Sequence, residues 1–436
     1  FDYVVNHFSS QSQWFEDYLA RTPGYEDFAI AVDPSTDLSM VTRPRSLPLL
    51  SEYKKNDGRS VHLWTTFSAD QIDFNFKSLD VLAKMVEALL FYVSNGATIL
   101  RQDAIAYLWK EIGTDCIHLP QTHNAVKLMR AILDVVAPDT ILLTETNVPH
   151  EENISYFGNG RNEAQMVYNF TLPPLLYYSF VKQDAGVLAN WARGLALEAE
   201  TITFFNFTAS HDGIGVRPLE GILTAEEIED LCREVKTAGG QVSTKRNADG
   251  SDSPYELNIT YVDAILADPA SQQADRFLAS QAIQYSLPGV PATYIHSLLG
   301  SRNWPEGVRK TGRARTINRK KLDVDTLVNE LEDPDSFRSR VFYPYLQMIK
   351  TRRQQPAFHP NAGFEILDCN SRVFGIKRHC QDQTLWAFTN VSAEPVHITF
   401  SDTGISGPLT DLISGECIET TSYALKPYQY VWLVGD

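Results

Sequence analysis

The sequence lacks long apolar runs and has few basic residues and few cysteines. No stretch approaches the roughly 18–20 consecutive apolar residues that a membrane-spanning helix needs. Its 38 basic residues face 54 acidic ones, and the net charge of −16 argues against nucleic acid or an anionic membrane as the main partner. The five cysteines are scattered and form no CxxC pair, which favours free thiols in a reducing compartment over a disulfide framework. These features predict a cytoplasmic globular protein.

The length of 436 residues suits one large domain and a smaller one. The first residues, Phe1–His7, read as a buried strand that ends in polar groups, with no start methionine and no preceding turn. We therefore expect the chain to be a fragment of a longer polypeptide, in which a targeting signal could lie outside this sequence.

Apolar strands and amphipathic helices alternate along most of the chain, which predicts a parallel α/β sheet, either a barrel or a doubly wound sheet. The predicted helices include one near Pro173–Leu195, whereas Leu298–Lys321 is expected to be a basic loop. Strands with turn signals dominate from about residue 356, so we predict a catalytic domain at 1–355 and an antiparallel β domain at 356–436. Two stretches, about 8–77 and 216–270, interrupt the alternation and are predicted to be insertions.

Polar side chains stand at the C-terminal ends of the predicted strands. Arg101 and Asp103 follow a short apolar run and lie on the same side of an extended backbone. A buried cation and carboxylate are costly unless they neutralise each other or perform chemistry, and a structural ion pair explains this one pair equally well. Other predicted strands end with similar groups: Asp2, Asn6, His7, Glu145, His211 and Asp212. In a barrel these ends meet on the catalytic face.

Two carboxylates on different strands suit retaining glycoside chemistry, in which one attacks the anomeric carbon and the other protonates the leaving oxygen. Asp103 and Glu145 are the candidates, with Arg101 keeping Asp103 ionised by Coulombic attraction. Repulsion from nearby carboxylates would favour the protonated form of Glu145 that an acid catalyst needs. His7 and His211 could hydrogen-bond sugar hydroxyls, although a single histidine is more often structural.

The segments DYVVNH, LRQDA, LTE and ASHDG resemble the four short motifs of the α-amylase superfamily, in the superfamily's order. The resemblance implies a (β/α)8 barrel with a C-terminal β domain. It also implies that Asp103 is the nucleophile, Glu145 the acid/base and Asp212 the stabiliser of the transition state. The glucose subsite would be lined by Asp2, His7, Arg101 and His211. Gln102 departs from the family's usual apolar residue and is expected to face away from the sugar.

A barrel of this family has eight strands, and the sequence shows six, starting near Phe1, Ala97, Thr140, Gln165, Thr201 and Val290. The resemblance therefore implies that the first two βα units are missing from this chain. A further sugar-binding aspartate of the relatives would lie in those units.

Further segments, among them PYELNITYVDAI, PGVPATYIHSLLGSRN and RTINRKK, are similar to the sucrose-phosphorylase branch, which transfers glucose to phosphate instead of water. Sucrose phosphorylases follow the acid/base with an aliphatic residue and a histidine, and this chain has Thr146–His150 there instead. The pattern as a whole is most similar to the glucosylglycerate phosphorylases. The resemblance thus implies an α-glucoside and inorganic phosphate as substrates, and Arg319 as a glucose-contacting arginine.

A cluster of basic residues follows the last predicted barrel strand in this otherwise acidic chain: Arg302, Arg309, Lys310, Arg313, Arg315, Arg319, Lys320 and Lys321. Arginine forks bind phosphate and carboxylate well, so we expect Arg302 and Arg315 to contact the anionic substrates. The alternative is a solvated loop that pairs with acidic neighbours. Gln71 and Asn147 are further candidates for binding the substrate.

No cofactor is expected, and Asn6 alone does not make a calcium site. Close alternatives for the donor are sucrose, sucrose 6′-phosphate and glucosylglycerol. More distant alternatives are a hydrolase or transglucosidase and a non-catalytic sugar-binding relative. No nucleic-acid or membrane partner is expected, and the oligomeric state stays open.

Overall fold

A computed structural model describes residues 1–247, 249–265, 272–400, 405, 407–418 and 421–435. The chain divides into two compact units. The first comprises Phe1–Tyr168 and Thr244–Tyr255, and the second comprises Asn169–Ser243 and Glu256–Asp436. Each unit is described by itself.

The first unit contains a four-stranded parallel sheet and several short antiparallel strands. Its elements in chain order are β1 (Asp2–Val4), β2 (His7–Ser9), α1 (Gln13–Ala20), β3 (Leu50–Lys54), β4 (Ser60–Trp64), β5 (Gln71–Asp73), α2 (Leu79–Ser94), β6 (Ile99–Asp103), α3 (Pro120–Val136), β7 (Ile141–Thr144), α4 (His150–Ile154) and β8 (Met166–Tyr168). The parallel strands lie in the order β1-β6-β7-β8, while β2 pairs with β5 and β3 with β4 in antiparallel fashion.

The sequences of α2 and β6 explain how Arg101 comes to lie at the end of a strand. Val81, Met85 and Leu89 recur every four positions and bury one face of α2. Gly96, with a φ of +87°, then reverses the chain into β6. Along β6 the side chains alternate, so that Leu100 is buried while Arg101 stays partly exposed at the sheet's end.

The second unit begins with α5 (Leu172–Lys182), α6 (Gly186–Ala192), β9 (Thr203–Asn206), β10 (Ile214–Gly215), α7 (Ala225–Thr237), β11 (Gln241–Arg246) and β12 (Asp252–Asn258). The unit division falls inside β11 and β12. It continues with α8 (Tyr261–Ala264), α9 (Gln273–Ser286), β13 (Val290–Pro291), α10 (Ile295–Leu298), α11 (Pro305–Thr311), α12 (Val324–Glu332) and α13 (Phe337–Arg353). Strands β9 and β13 pair in parallel.

The chain's C-terminal strands are β14 (Gly363–Ile366), β15 (Val373–His379), β16 (Thr384–Asn390), β17 (Val396–Thr399), β18 (Leu409–Asp411), β19 (Cys417–Ile418), β20 (Ser422–Leu425) and β21 (Tyr430–Gly435). Six of them form an antiparallel sheet in the order β14-β15-β16-β21-β18-β19, and β17 pairs with β20. Val373, Phe388, Leu409, Val431 and Leu433 belong to the buried cluster between these strands. The predicted C-terminal antiparallel sheet is confirmed.

Strands lie at all six predicted positions, as β1, β6, β7, β8, β9 and β13, so the mixed α/β content is confirmed as well. Closure into a barrel and the domain boundary near residue 356 stay predictions. The charged helix and the two strands expected within 216–270 are present as α7, β11 and β12. Ala248 and residues 266–270 of that stretch lie outside the described residues.

Two local predictions are wrong. The helix expected at Pro173–Leu195 is two helices, because Gln183 adopts a left-handed conformation with φ +52° and ends α5. The expected basic loop at Leu298–Lys321 contains the helix α11 and a 3-10 helix at Ala314–Asn318. Proline at the first turn of α11 and Gly312 after its end are ordinary helix boundaries.

Candidate active site

Arg101 is the centre of the polar cluster in the first unit. The parallel register of β1 and β6 sets Asp2 opposite Arg101, and the Arg101 Nη1 donates to Asp2 Oδ1 at 2.6 Å and to Asp103 Oδ1 at 2.8 Å. The Arg101 Nε donates to Tyr168 Oη at 3.1 Å. One guanidinium therefore fixes residues from three strands of the parallel sheet.

Glu145 follows β7 and lies beside the same guanidinium. Its Oε1 is 3.7 Å from Arg101 Nη2, and its Oε2 accepts a hydrogen bond of 3.1 Å from the backbone N–H of Ala104. Ala104 has a left-handed conformation with φ +52°, uncommon for a residue with a side chain, directly after Asp103. The two carboxylates proposed for catalysis, Asp103 and Glu145, are thus held around Arg101. The role of Glu145 as the acid catalyst stays a prediction.

The charges around Arg101 keep it protonated. Burial of the guanidinium by itself lowers the pKa of Arg101, but the negative charges of Glu145, Asp103 and Asp2 outweigh burial and raise this pKa above its ordinary value. Burial also raises the pKa of the neighbouring Tyr168 hydroxyl to about 12, so Tyr168 is neutral at physiological pH. A neutral Tyr168 can accept the hydrogen bond from Arg101.

His7 and Gln71, both predicted to bind the substrate, are neighbours on the paired strands β2 and β5. The Gln71 Nε2 and the His7 Nε2 are 2.8 Å apart, and Ser68 Oγ donates to the Gln71 Oε1 at 2.9 Å. Because the amide oxygen of Gln71 is occupied by Ser68, its NH2 group faces the histidine, whose Nε2 accepts. Burial lowers the pKa of His7, against the opposing charges of Asp73 and Asp103, and this agrees with an accepting, neutral imidazole.

A buried polar network lies next to His7, and the sequence did not predict it. The Lys110 Nζ lies 2.5 Å from Asp73 Oδ2 and donates to Asn6 Oδ1 at 2.8 Å, while Asn6 Nδ2 donates to Asp73 Oδ2 at 3.0 Å. Asp73 also accepts from the Thr66 N–H and hydroxyl at 2.9 and 2.6 Å. The sequence hints at the network through Lys110, a single charged residue at the end of the apolar run AIAYLWK that follows Asp103.

Gln102 and Asn147 complete the first unit's predicted residues. Gln102 is buried and donates from Nε2 to the Met129 Sδ at 3.1 Å on α3, and its expected orientation away from the sugar stays a prediction. Asn147 lies two residues beyond Glu145 and is half-buried. Its Oδ1 accepts no hydrogen bond within the described part of the chain, and its role stays a prediction.

The second unit carries the other predicted carboxylate, Asp212, among three cationic or titratable neighbours. The Asp212 Oδ1 accepts from Arg315 Nη1 and, at 3.2 Å, from Arg319 Nη2. The His211 Nε2 lies 3.7 Å from the same oxygen, and the Arg319 Nε donates to the His211 carbonyl at 2.5 Å. Asn318 donates to the Asp212 carbonyl at 2.9 Å. The structure therefore brings Asp212, His211, Arg315 and Arg319 together.

Glu256 is a member of this cluster that sequence reasoning missed. Its carboxylate accepts two parallel hydrogen bonds from Arg315, Nε to Oε2 at 2.9 Å and Nη2 to Oε1 at 2.7 Å. In the sequence, the segment PYELN indicates only a family resemblance, because the pairing of its glutamate with Arg315 is a tertiary contact. Arg315, expected to bind substrate anions, is thus engaged by two carboxylates of its own chain.

Arg302 lies elsewhere in the second unit. Its Nε donates to Asp263 Oδ1, and its guanidinium stacks 5.3 Å over the ring of Phe337. The Asn303 N–H donates to the other oxygen of Asp263 at 2.6 Å. No contact in the described residues joins Arg302 to the Asp212 cluster, and its binding of an anionic substrate stays a prediction.

The described residues include no group of three or more histidine, cysteine, aspartate or glutamate side chains arranged to hold a metal ion. Within the same residues, no helix has the length and apolar character to cross a bilayer. The five cysteines are free, as the sequence predicted.

Comparisons with known proteins identify the family of this chain. The catalytic domain of the α-amylase family matches residues 1–211. The glucosylglycerate phosphorylase of Escherichia coli strain K12 is 48% identical over 99% of this chain and 77% of its own length. A sucrose phosphorylase of Agrobacterium vitis is 30% identical over 84% of this chain and 74% of its own length.

The chain belongs to the α-amylase superfamily. Within it, the chain belongs to the branch of the sucrose phosphorylases, and both sequence-based predictions are confirmed. The fold agrees: the crystal structure of a sucrose 6F-phosphate phosphorylase from Thermoanaerobacter thermosaccharolyticum superimposes with a TM-score of 0.77 at 26% identity. The superposition covers 89% of this chain and 78% of the chain in that structure.

Proposed function

We propose that the protein is a retaining glucosyl phosphorylase that cleaves an α-glucoside with inorganic phosphate and releases α-glucose 1-phosphate. One observation carries the proposal: Arg101 holds the carboxylates of Asp103 and Glu145 together in the first unit, with contacts of 2.8 and 3.7 Å. Two neighbouring carboxylates are what a double displacement at an anomeric carbon requires.

In the first step the Asp103 carboxylate attacks the anomeric carbon, and the bond from that carbon to the leaving oxygen breaks. Glu145 gives its proton to the leaving oxygen, which produces a free alcohol and a β-glucosyl enzyme. In the second step an oxygen of hydrogen phosphate attacks the same carbon and displaces Asp103. The Glu145 carboxylate takes the proton of that phosphate oxygen, so that the enzyme returns to its starting state.

The roles of the remaining residues follow from motif matching and are part of the proposal. Asp212 would stabilise the positively charged transition state, and Arg319 and His211 would contact the glucosyl group. In the first unit, Asp2 and His7 would bind glucose hydroxyls. The closed (β/α)8 barrel of the family is proposed as the scaffold of these residues.

Glucosylglycerate is the proposed donor. The support is the 48% identity to an enzyme named for that substrate, against 30% for the sucrose phosphorylase. The Thr146–His150 segment after the acid/base also departs from the sucrose phosphorylases. Arg302 and Arg315 are proposed contacts for the anionic substrates, although both already pair with carboxylates. The free cysteines support a reducing, cytoplasmic location.

The donor and the reaction type can be tested together. Purified protein is incubated with glucosylglycerate in the presence and in the absence of phosphate, and glucose 1-phosphate and glucose are measured separately. We expect glucose 1-phosphate that depends on added phosphate. Equal consumption of donor without phosphate, with glucose as the product, would identify a hydrolase instead.

The acceptor is tested in the synthetic direction. The protein is given glucose 1-phosphate and, one at a time, glycerate, fructose, fructose 6-phosphate and glycerol, and phosphate release is followed. Glycerate should give the fastest release, whereas preference for another acceptor would correct the donor while leaving the phosphorylase chemistry intact.

A further inference from the structure

Glu256 lies next to Asp212 because of how β10 and β12 pair. Strand β10 follows Asp212 and Gly213 in the chain. Its antiparallel register with β12 places Ile214 opposite Leu257 and Gly215 opposite Glu256. At Gly213 the two backbones are so close that an added Cβ would lie 2.5 Å from Glu256 Cγ and 2.6 Å from the Leu257 carbonyl. The strand that carries Glu256 is thus packed against the residue that follows Asp212.

Arg315 connects the two carboxylates. Its Nε and Nη2 bind both oxygens of Glu256 in a bidentate pair, and its Nη1 donates to Asp212 Oδ1. The Glu256 side chain is 3% exposed, against 29% for Arg315 and 19% for Asp212. A bidentate pair fixes the plane of the guanidinium, so the direction in which Nη1 points at Asp212 is set by Glu256.

The balance of charges in this cluster also indicates a role for Glu256. Two guanidinium groups, from Arg315 and Arg319, contact one Asp212 oxygen. Glu256 balances one of these cations, so the four groups together carry no net charge. Without Glu256 the cluster would gain a positive charge next to the carboxylate that is proposed to stabilise a cationic transition state, and this would oppose glucosyl transfer.

We propose that Glu256 is a positioning residue for glucosyl transfer, which holds Arg315 and, through it, the carboxylate of Asp212. The inference rests on the proposed function, because it takes Asp212 as the residue that stabilises the transition state. The predicted insertion at 216–270 would then contribute to glucosyl transfer, since its strand β12 supplies Glu256.

The test is Glu256→Gln, assayed with two donors in the presence of phosphate: glucosylglycerate and α-glucosyl fluoride. Fluoride leaves without a proton, so the second donor needs the nucleophile and the stabilising carboxylate but not the acid catalyst. We expect Glu256→Gln to lower kcat by about 10²-fold with both donors, the loss typical of misplaced catalytic groups, with a much smaller change in KM. Glu145→Gln should lose the first step with glucosylglycerate but should still release a burst of fluoride from α-glucosyl fluoride.

Three further variants test the contact between Glu256 and Arg315. Glu256→Asp keeps the negative charge and should recover part of kcat. Arg315→Lys keeps the positive charge but loses the fork, so it should resemble Glu256→Gln, and the double variant should be little worse than either single one because the pair acts as a unit.

The control is Asp411→Asn in the C-terminal sheet. Asp411 is a buried carboxylate that accepts from the Trp432 N–H at 2.9 Å and from Ser414 Oγ at 2.7 Å, so its loss should lower the melting temperature without changing kcat. The inference is overturned if Glu256→Gln keeps kcat within about twofold of the wild type, or changes KM alone. It is equally overturned if Asp411→Asn, at the same melting temperature, loses as much kcat.

The wild-type assays separate the two proposals. Turnover of α-glucosyl fluoride without turnover of glucosylglycerate would remove the proposed donor and leave the test of Glu256 valid. Turnover of neither donor would overturn both.

Discussion

Asp73 and Lys110 form an ion pair whose charged atoms lie 2.5 Å apart, although the two side chains are only 0% and 3% exposed. Burial lowers the pKa of the Lys110 ammonium, and the Asp73 carboxylate opposes that change. Asn6 closes the network, with hydrogen bonds to both partners. Because Asn6 precedes His7 and Asp73 lies opposite His7 in the β2–β5 pair, the network supports a residue of the candidate active site.

Removing one partner of this pair should destabilise the fold strongly. Lys110→Met leaves the Asp73 carboxylate buried without its cation, which costs about 3–5 kcal/mol of unfolding free energy for buried pairs. The double variant Lys110→Met/Asp73→Asn should regain part of that loss, because no charge is then buried. Urea unfolding measures both values, and a single variant as stable as the wild type would contradict the network's importance.

Asp103→Asn should abolish phosphorolysis and leave sugar binding intact. The amide keeps the size of the carboxylate but cannot form the glucosyl enzyme, so we expect turnover to fall by about 10⁴-fold or more. Calorimetric titration with glucosylglycerate measures binding. Asp139→Asn, at an exposed position, is the matched control. Retained turnover in Asp103→Asn would favour a different nucleophile.

Arg101→Lys should reduce kcat even though the charge is kept. A lysine cannot reproduce the guanidinium contacts to Asp2, Asp103 and Tyr168 at once, so the carboxylates proposed for catalysis would lose their alignment. A fall of about 10²-fold in kcat is expected, and Arg101→Met should be worse because it also loses the charge. Equal kcat values in the two variants would show that the charge at position 101 does not matter.

The pKa of His7 predicts how stability depends on pH. Burial lowers this pKa, so the unfolded chain binds a proton at a higher pH than the folded one. The stability contribution is complete above the unfolded pKa of about 6.5 and is lost as the pH falls below it toward the folded pKa. Wild-type stability should therefore decline more than that of His7→Gln between pH 7.5 and 5.5.

Urea unfolding at several pH values checks this expectation. His397→Gln, which changes an exposed histidine of the C-terminal sheet region, should follow the wild type. If His7→Gln shows the same decline as the wild type, the proton is taken up elsewhere.

The strands and the residues at their ends were predictable because each signal is local. Short apolar runs predict β6 and β7, and Arg101, Asp103 and Glu145 follow them directly in the chain. The break between α5 and α6 was missed because the residue with the left-handed conformation is Gln183 and not a glycine. A continuous apolar pattern therefore appeared as one helix.

The partners of buried charges were missed for a different reason. Glu256 and Arg315 lie 59 positions apart, and no periodicity connects them. The same holds for Asp73 and Lys110, whose pairing depends on how the segment after β6 packs on β5. The sequence identified Arg315 as an anion-binding candidate from its charge alone, whereas the structure shows that Glu256 and Asp212 already neutralise it.

The left-handed residue Ala104 has a consequence for altering this enzyme. Its N–H binds the carboxylate of Glu145, the proposed acid/base, and its neighbour is Asp103, the proposed nucleophile, so both depend on one short stretch of backbone. A mutation that shifts this backbone will disturb both catalytic steps at once. Laboratory evolution toward a new acceptor should therefore leave residues 103–104 unchanged and accumulate its substitutions in loops that do not carry them.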